Sequence, residues 1–313
     1  MRSGSTLTAE PAVRRWSAAA GASLRHVADR PALWLPGALA WLATIGWVPF
    51  VIAVVSTPSV AELTYLGSRF WTSGLWPWNA VLVAAGAVAV AVVALSLASA
   101  ANAVLLAAAG RRQAATRDAG SLLVLALLGA IPVAFCALAI AVGVIAVGPA
   151  EFNRPQAETS PILRTAARLA PLLLFTGLLA LVASTLAGLA GRGAIRAGDP
   201  AGGLAAVPGL VRRAGRAGIV HLTAAAIVGL AYLVLTALLL TVLWEPIAVG
   251  LDAAAGIDLA AGLLLVGFVA IWLCLVLAGG VVHAWASMTA SALLGDRVVG
   301  PVPERPQETL IDR

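Results

Sequence analysis

The sequence predicts an all-α polytopic integral membrane protein with six transmembrane helices, and three observations carry that prediction. Hydrophobic residues make up 61% of the 313 and charged residues only 11%, against about 25% charged in soluble domains. Mean hydropathy is +0.98, so the chain cannot cover a water-facing surface and lipid has to be its solvent. The apolar residues gather into six long, almost uncharged stretches at 32–55, 80–109, 121–148, 169–190, 219–244 and 259–294. Each reaches the roughly 20 residues that a helix needs to cross the hydrocarbon. These Leu/Ala/Val runs lack the period-two alternation of a barrel strand, which leaves the helix as the spanning structure. The second and last exceed a bilayer's thickness and either tilt or continue beyond it.

Arginine sets the orientation. All 20 basic residues are Arg, a choice typical of a GC-rich bacterial genome. Sixteen fall before span 1, after spans 2 and 4, or in the tail; Arg69, Arg154, Arg164 and Arg168 fall on the other side. The positive-inside rule then places both termini in the cytoplasm of a bacterial cell, with the spans in its plasma membrane. The expected division is a basic cytoplasmic arm at 1–31, a membrane domain at 32–294 and a cytoplasmic tail at 295–313. Span 1 reads as a signal anchor rather than a cleaved leader. A pI near 10.8 does not point to nucleic acid, because arginines beside spans follow from orientation and attract anionic lipid head groups. Cys136 and Cys274 lie in spans and act as small apolar side chains. Neither a disulfide, a metal site nor a cofactor is expected.

The segments between the spans carry their own signals. Val13, Trp16, Ala20 and Leu24 recur at helical spacing beside Arg14, Arg15 and Arg25, which predicts an amphipathic helix over 11–29 lying in the interface. Tyr65, Phe70, Trp71, Trp76 and Trp78 predict an in-plane aromatic segment over 59–79 at the opposite head-group level. Gly110-Arg111, Gly191-Arg192 and Gly295-Asp296-Arg297 read as glycine caps followed by cations at the negative helix end. Their similarity suggests three repeated two-helix units. Asp199-Pro200 reads as an N-cap and first turn of a short cytoplasmic helix that bends near Pro208-Gly209. Pro36, Pro49 and Pro132 are expected to kink spans 1 and 3. Ala180, Ser184 and Gly188, with Gly86, Ser96 and Ser99 on span 2, read as seams where helices approach closely.

Paired apolar helices joined by basic, Ala/Gly-rich segments resemble the membrane domains appended to some bacterial glycerophosphodiester phosphodiesterases. The resemblance lies in Gly110-Arg111, Gly191-Arg192 and the arginine-bearing stretch 210–216. The soluble catalytic barrel of that family is missing, so the resemblance implies a membrane module and carries over no catalytic residue.

Few polar side chains remain within the spans. None of the 14 acids falls mid-span, which counts against a proton- or sodium-coupled transporter. Asn102, His221 and His283 should sit at similar depth near the cytoplasmic interface, close to Trp285. Together they form a candidate polar pocket for an anionic head group. Arg111, Arg112, Arg192, Arg196, Arg212, Arg213 and Arg216 form the expected cytoplasmic basic face. The HExxH, Gly-x-Ser-x-Gly and phosphate-loop patterns are missing, so no enzyme is expected. Two functions fit: a non-enzymatic module that binds or senses anionic lipid, or scaffolds a partner, through this face; and the permease subunit of an ATP-driven transporter, docking an ATPase.

Overall fold

A computed structural model describes residues 11–55, 65, 69, 72–75, 77–110, 114–152, 161–253 and 259–295, and among them every regular element is helical. The chain is an all-α polytopic membrane protein. The helices are α1 (Ala12–Ala28), α2 (Trp34–Trp41), α3 (Val48–Val54), α4 (Trp78–Ala109), α5 (Thr116–Phe152), α6 (Pro161–Ala197), α7 (Pro200–Ala253) and α8 (Leu259–Leu293). The last five are long and apolar enough to cross a bilayer, and α2 with α3 form a pair bent by 53°.

Taken as one span, the bent pair is the sixth. Leu33 packs with Ala284 and Met288, Ala38 and Trp41 with Val276, and Ala53 with Phe268. Span 1 therefore runs antiparallel to α8 from Met288 to Phe268. Its 20 helical positions between 34 and 54 have a contour of about 30 Å at 1.5 Å each, which the 53° bend shortens, so the pair is just long enough for a hydrocarbon core of about 30 Å. The bend is a π-helical turn at Leu42–Gly46 just before Pro49, whose ring cannot sit over the carbonyl four residues back. Thr44 Oγ1 donates to the carbonyls of Ala40 at 2.8 Å and Trp41 at 3.1 Å. Pro36 sits in the first turn of α2 and causes no break, and α5 continues unbroken through Pro132.

Glycine allows spans 1 and 6 to touch backbone to backbone. A Cβ on Gly37 would run into Gly280 O, and one on Gly280 into Ala38 N. The helix ends differ from expectation in an informative way. Gly191 is not a cap: α6 continues to Ala197, and Gly198, at φ 88, closes it by accepting the left-handed conformation. Gly110 ends α4 at φ −82, whereas Gly295 takes φ 84. The three Gly–Arg ends therefore share no common cap.

Asp199 does cap α7, accepting from Gly202 N at 2.6 Å. The helix it opens does not break at Pro208-Gly209. The non-helical residue is Gly215, at φ 52 and ψ −146, a conformation open to glycine because it lacks a Cβ.

The helix expected over 11–29 forms as α1 and docks on the bundle, by a face that shares only Ala20 with the buried residues of its expected apolar stripe. Ala20, Ser23 and Val27 are buried on one face of α1, with Val13 and Leu24 exposed beside them. Trp285 Nε1 donates to Ala20 O at 3.0 Å and Trp34 Nε1 to Val27 O at 2.9 Å. Arg15 reaches Leu293 O at 2.7 Å and Arg213 O at 3.3 Å. At the other end of the bundle Phe50, Trp244, Phe268 and Trp272 stack with ring centroids 4.9–5.9 Å apart. Of the expected aromatic segment, Tyr65 and Trp78 are exposed; Phe70, Trp71 and Trp76 lie outside the described residues.

Candidate functional site

All six spans contribute to one half-open chamber of about 1060 Å³. Its walls are apolar: Leu95 and Ala98 from α4, Ala126, Ala130, Val133 and Ala137 from α5, Ala180 and Leu181 from α6, and Leu222, Ala225 and Ala226 from α7. The bend of span 1 adds Thr44. Polar side chains gather toward the arginine-rich end, where Asn102, Arg192, His221, His283 and Ser287 line the space. A large apolar cavity with a few convergent polar groups is the usual form of a ligand site.

Small side chains make this space. Ala180, Ser184 and Gly188 do not seal a helix seam; they line the chamber. Gly86 has nothing within 4 Å of where a Cβ would stand, so it is not a seam residue either. Ser99, in contrast, is buried, and Ser96 folds back on Val92 O at 2.7 Å.

The expected polar residues separate into two groups. Asn102 and His283 meet, with Oδ1 and Nε2 3.0 Å apart. His221 lines the same chamber from α7, only 7% exposed. Trp285 does not line it; its indole turns to the backbone of α1 instead. Trp285 and the chamber residue Ser287 stand two positions apart, about 200° around the helix, so α8 serves the arm and the chamber from different faces.

Arg192 belongs with the chamber rather than with the basic surface. Because α6 continues past Gly191, its side chain lies along the helix flank and bridges to α8. It donates to Gly188 O at 2.9 Å, Ser287 O at 3.1 Å and Ser291 Oγ at 3.3 Å. It lines the same chamber as His221 and His283. Among the described residues, no Asp or Glu lines the chamber. A guanidinium held at three points in low dielectric is a strong, oriented anion receptor. Arg196, Arg212, Arg213 and Arg216 are exposed and keep to the surface. Arg111 and Arg112 lie outside the described residues.

Sequence reasoning missed two features. Ser287 and Ser291 complete the Arg192 bridge, one turn apart on α8; their spacing was visible, but their partner was assigned to a loop. At the other end Glu151 is 1% exposed and clamped by Arg164 Nε at 3.0 Å and Arg168 Nε at 2.7 Å. Arg164 also donates to Glu151 O at 2.6 Å. This clamp joins α5 to α6. Comparison of the chain with protein-family models, with curated proteins and with solved structures returns no match.

Proposed function

We propose that this chain is a non-enzymatic membrane module that takes an anionic lipid into the chamber, head group toward the arginine-rich end. In this reading that end faces the cytoplasm of a bacterial cell and the spans sit in its plasma membrane. The observation that carries the reading is the chamber's division into apolar walls and a polar end built around Arg192. An acyl chain suits the first and a negatively charged head group the second. The exposed Arg196, Arg212, Arg213 and Arg216 would draw anionic lipid to the same leaflet, at about 1 kcal/mol for each arginine near the surface. Val13 and Leu24 on α1 suit insertion among the acyl chains there.

A second reading is favoured by the break at Gly215. The stretch of α7 before it, from Pro200, is a distinct segment bearing Arg212 and Arg213, and in a permease such a segment would dock a soluble ATPase. Purification in native-lipid particles, with mass spectrometry of bound lipids and proteins, separates the two. Enrichment of anionic lipid with no stoichiometric protein supports the lipid module. A near-stoichiometric ATPase that is lost in an Arg212→Gln/Arg213→Gln/Arg216→Gln variant supports the permease and overturns the autonomous module.

A further inference from the structure

His221 presents a buried nitrogen that the protein itself does not satisfy. Its side chain lines the chamber at 7% exposure; the Ala286 carbonyl lies beside the ring, but Nδ1 is buried with no partner at hydrogen-bond distance and angle. Buried polar atoms are nearly always paired, so an orphan on the wall of a cavity marks a position for a ligand atom. Arg192 lies on the neighbouring span, its guanidinium fixed by Gly188 O, Ser287 O and Ser291 Oγ.

We infer that Arg192 and His221 form a phosphate site at the polar end of the chamber, which seats the phosphate of a lipid head group. The inference rests on the lipid-chamber reading and names the group recognised. Phosphate oxygens accept charge-assisted hydrogen bonds from guanidinium. Whichever tautomer His221 holds, phosphate can meet it: an oxygen accepts from Nδ1–H, and the hydroxyl of a protonated monoester donates to a bare Nδ1. A carboxylate offers acceptors only. Beyond the site, Ala225 and Ala226 lie one turn further along α7, and Ser184 and Ala180 two and three turns along α6 from Arg192. All four line the chamber and continue the path that an acyl chain would follow.

The test uses the full chain in nanodiscs of equal phosphatidic acid, phosphatidylglycerol and phosphatidylcholine, followed by native mass spectrometry of retained lipid. Phosphatidylcholine's phosphodiester is neutralised by its choline and has no hydroxyl to offer Nδ1, so wild type should hold phosphatidic acid, a monoester, at roughly ten-fold or more over it. His221→Phe keeps the ring's bulk and should lose most of that preference at an unchanged melting temperature. Arg192→Gln should lose it entirely; should that variant fail to fold, His221→Phe decides. Preference retained in both variants overturns the phosphate site and leaves the lipid chamber standing. No lipid preference in wild type, with inorganic phosphate alone raising its melting temperature but not that of His221→Phe, keeps the site and makes free phosphate its ligand. Neither effect in wild type overturns the site and the lipid reading together.

Discussion

The two ends of the bundle are held by different chemistry. At the arginine-rich end the helices are tied by side chains reaching backbone carbonyls: Arg15 to Leu293, Trp34 to Val27, Trp285 to Ala20, Arg192 to Ser287. At the other end an aromatic cluster around Phe268 and one ionic clamp at Glu151 serve instead. Apolar contacts between helices gain little over contacts with lipid tails, whereas polar ties have no equal in hydrocarbon. The consequence is that the polar end can keep its shape around an open chamber. Among the described residues, the apolar end stays together through close packing and the buried Glu151 clamp.

The sharpest way to break this contrast is at the contact between spans 1 and 6, on which both ends depend. Gly280→Val would force its side chain into Ala38. Overpacking costs about 1–3 kcal/mol and more against rigid backbone, so loss of the monodisperse peak in size-exclusion chromatography is expected. Next, Glu151→Gln leaves Arg164 and Arg168 facing a neutral partner. Breaking a buried pair costs about 3–5 kcal/mol; Arg168 is half exposed, which points to about 3 kcal/mol. Thermal unfolding should report this loss, with lipid retention unchanged. Arg192→Gln should cost less, about 2 kcal/mol for bonds from a charged donor, yet it should abolish anionic-lipid retention. The opposite pairing of effects in these two variants would separate a stability end from a ligand end. Smallest is Trp285→Phe, at about 1 kcal/mol for one neutral hydrogen bond. Faster tryptic cleavage at the exposed Arg14 and Arg25 should reveal the loosened arm.

Spans were legible because twenty apolar residues in lipid have few alternatives. The arm was legible from the spacing of Trp16 and Ala20 and from its arginines. Asn102 and His283 could be placed at one depth by counting residues, and they do meet. Depth alone could not say which way a side chain faces, so Trp285 was grouped with them although it turns to α1. Arg192 was misplaced for a specific reason. Gly191 looked like a helix end, while the true stop, Gly198-Asp199-Pro200, stood seven residues on with a stronger signal: glycine, N-cap and proline in succession. Reading that triplet as the boundary would have put Arg192 inside the bundle. The chamber itself left no periodic trace, because alanine and glycine line a cavity and a tight seam equally well.

The most direct measurement is photo-crosslinking with an anionic phospholipid carrying a diazirine near the end of one acyl chain, in membranes containing the wild-type chain and Arg192→Gln. Adducts on Val133, Ala180 or Ala226 in wild type, lost in the variant, are expected if the head group anchors at Arg192 and the chain occupies the chamber. Adducts confined to the exposed faces of α4 and α8, and equal in both proteins, would contradict it.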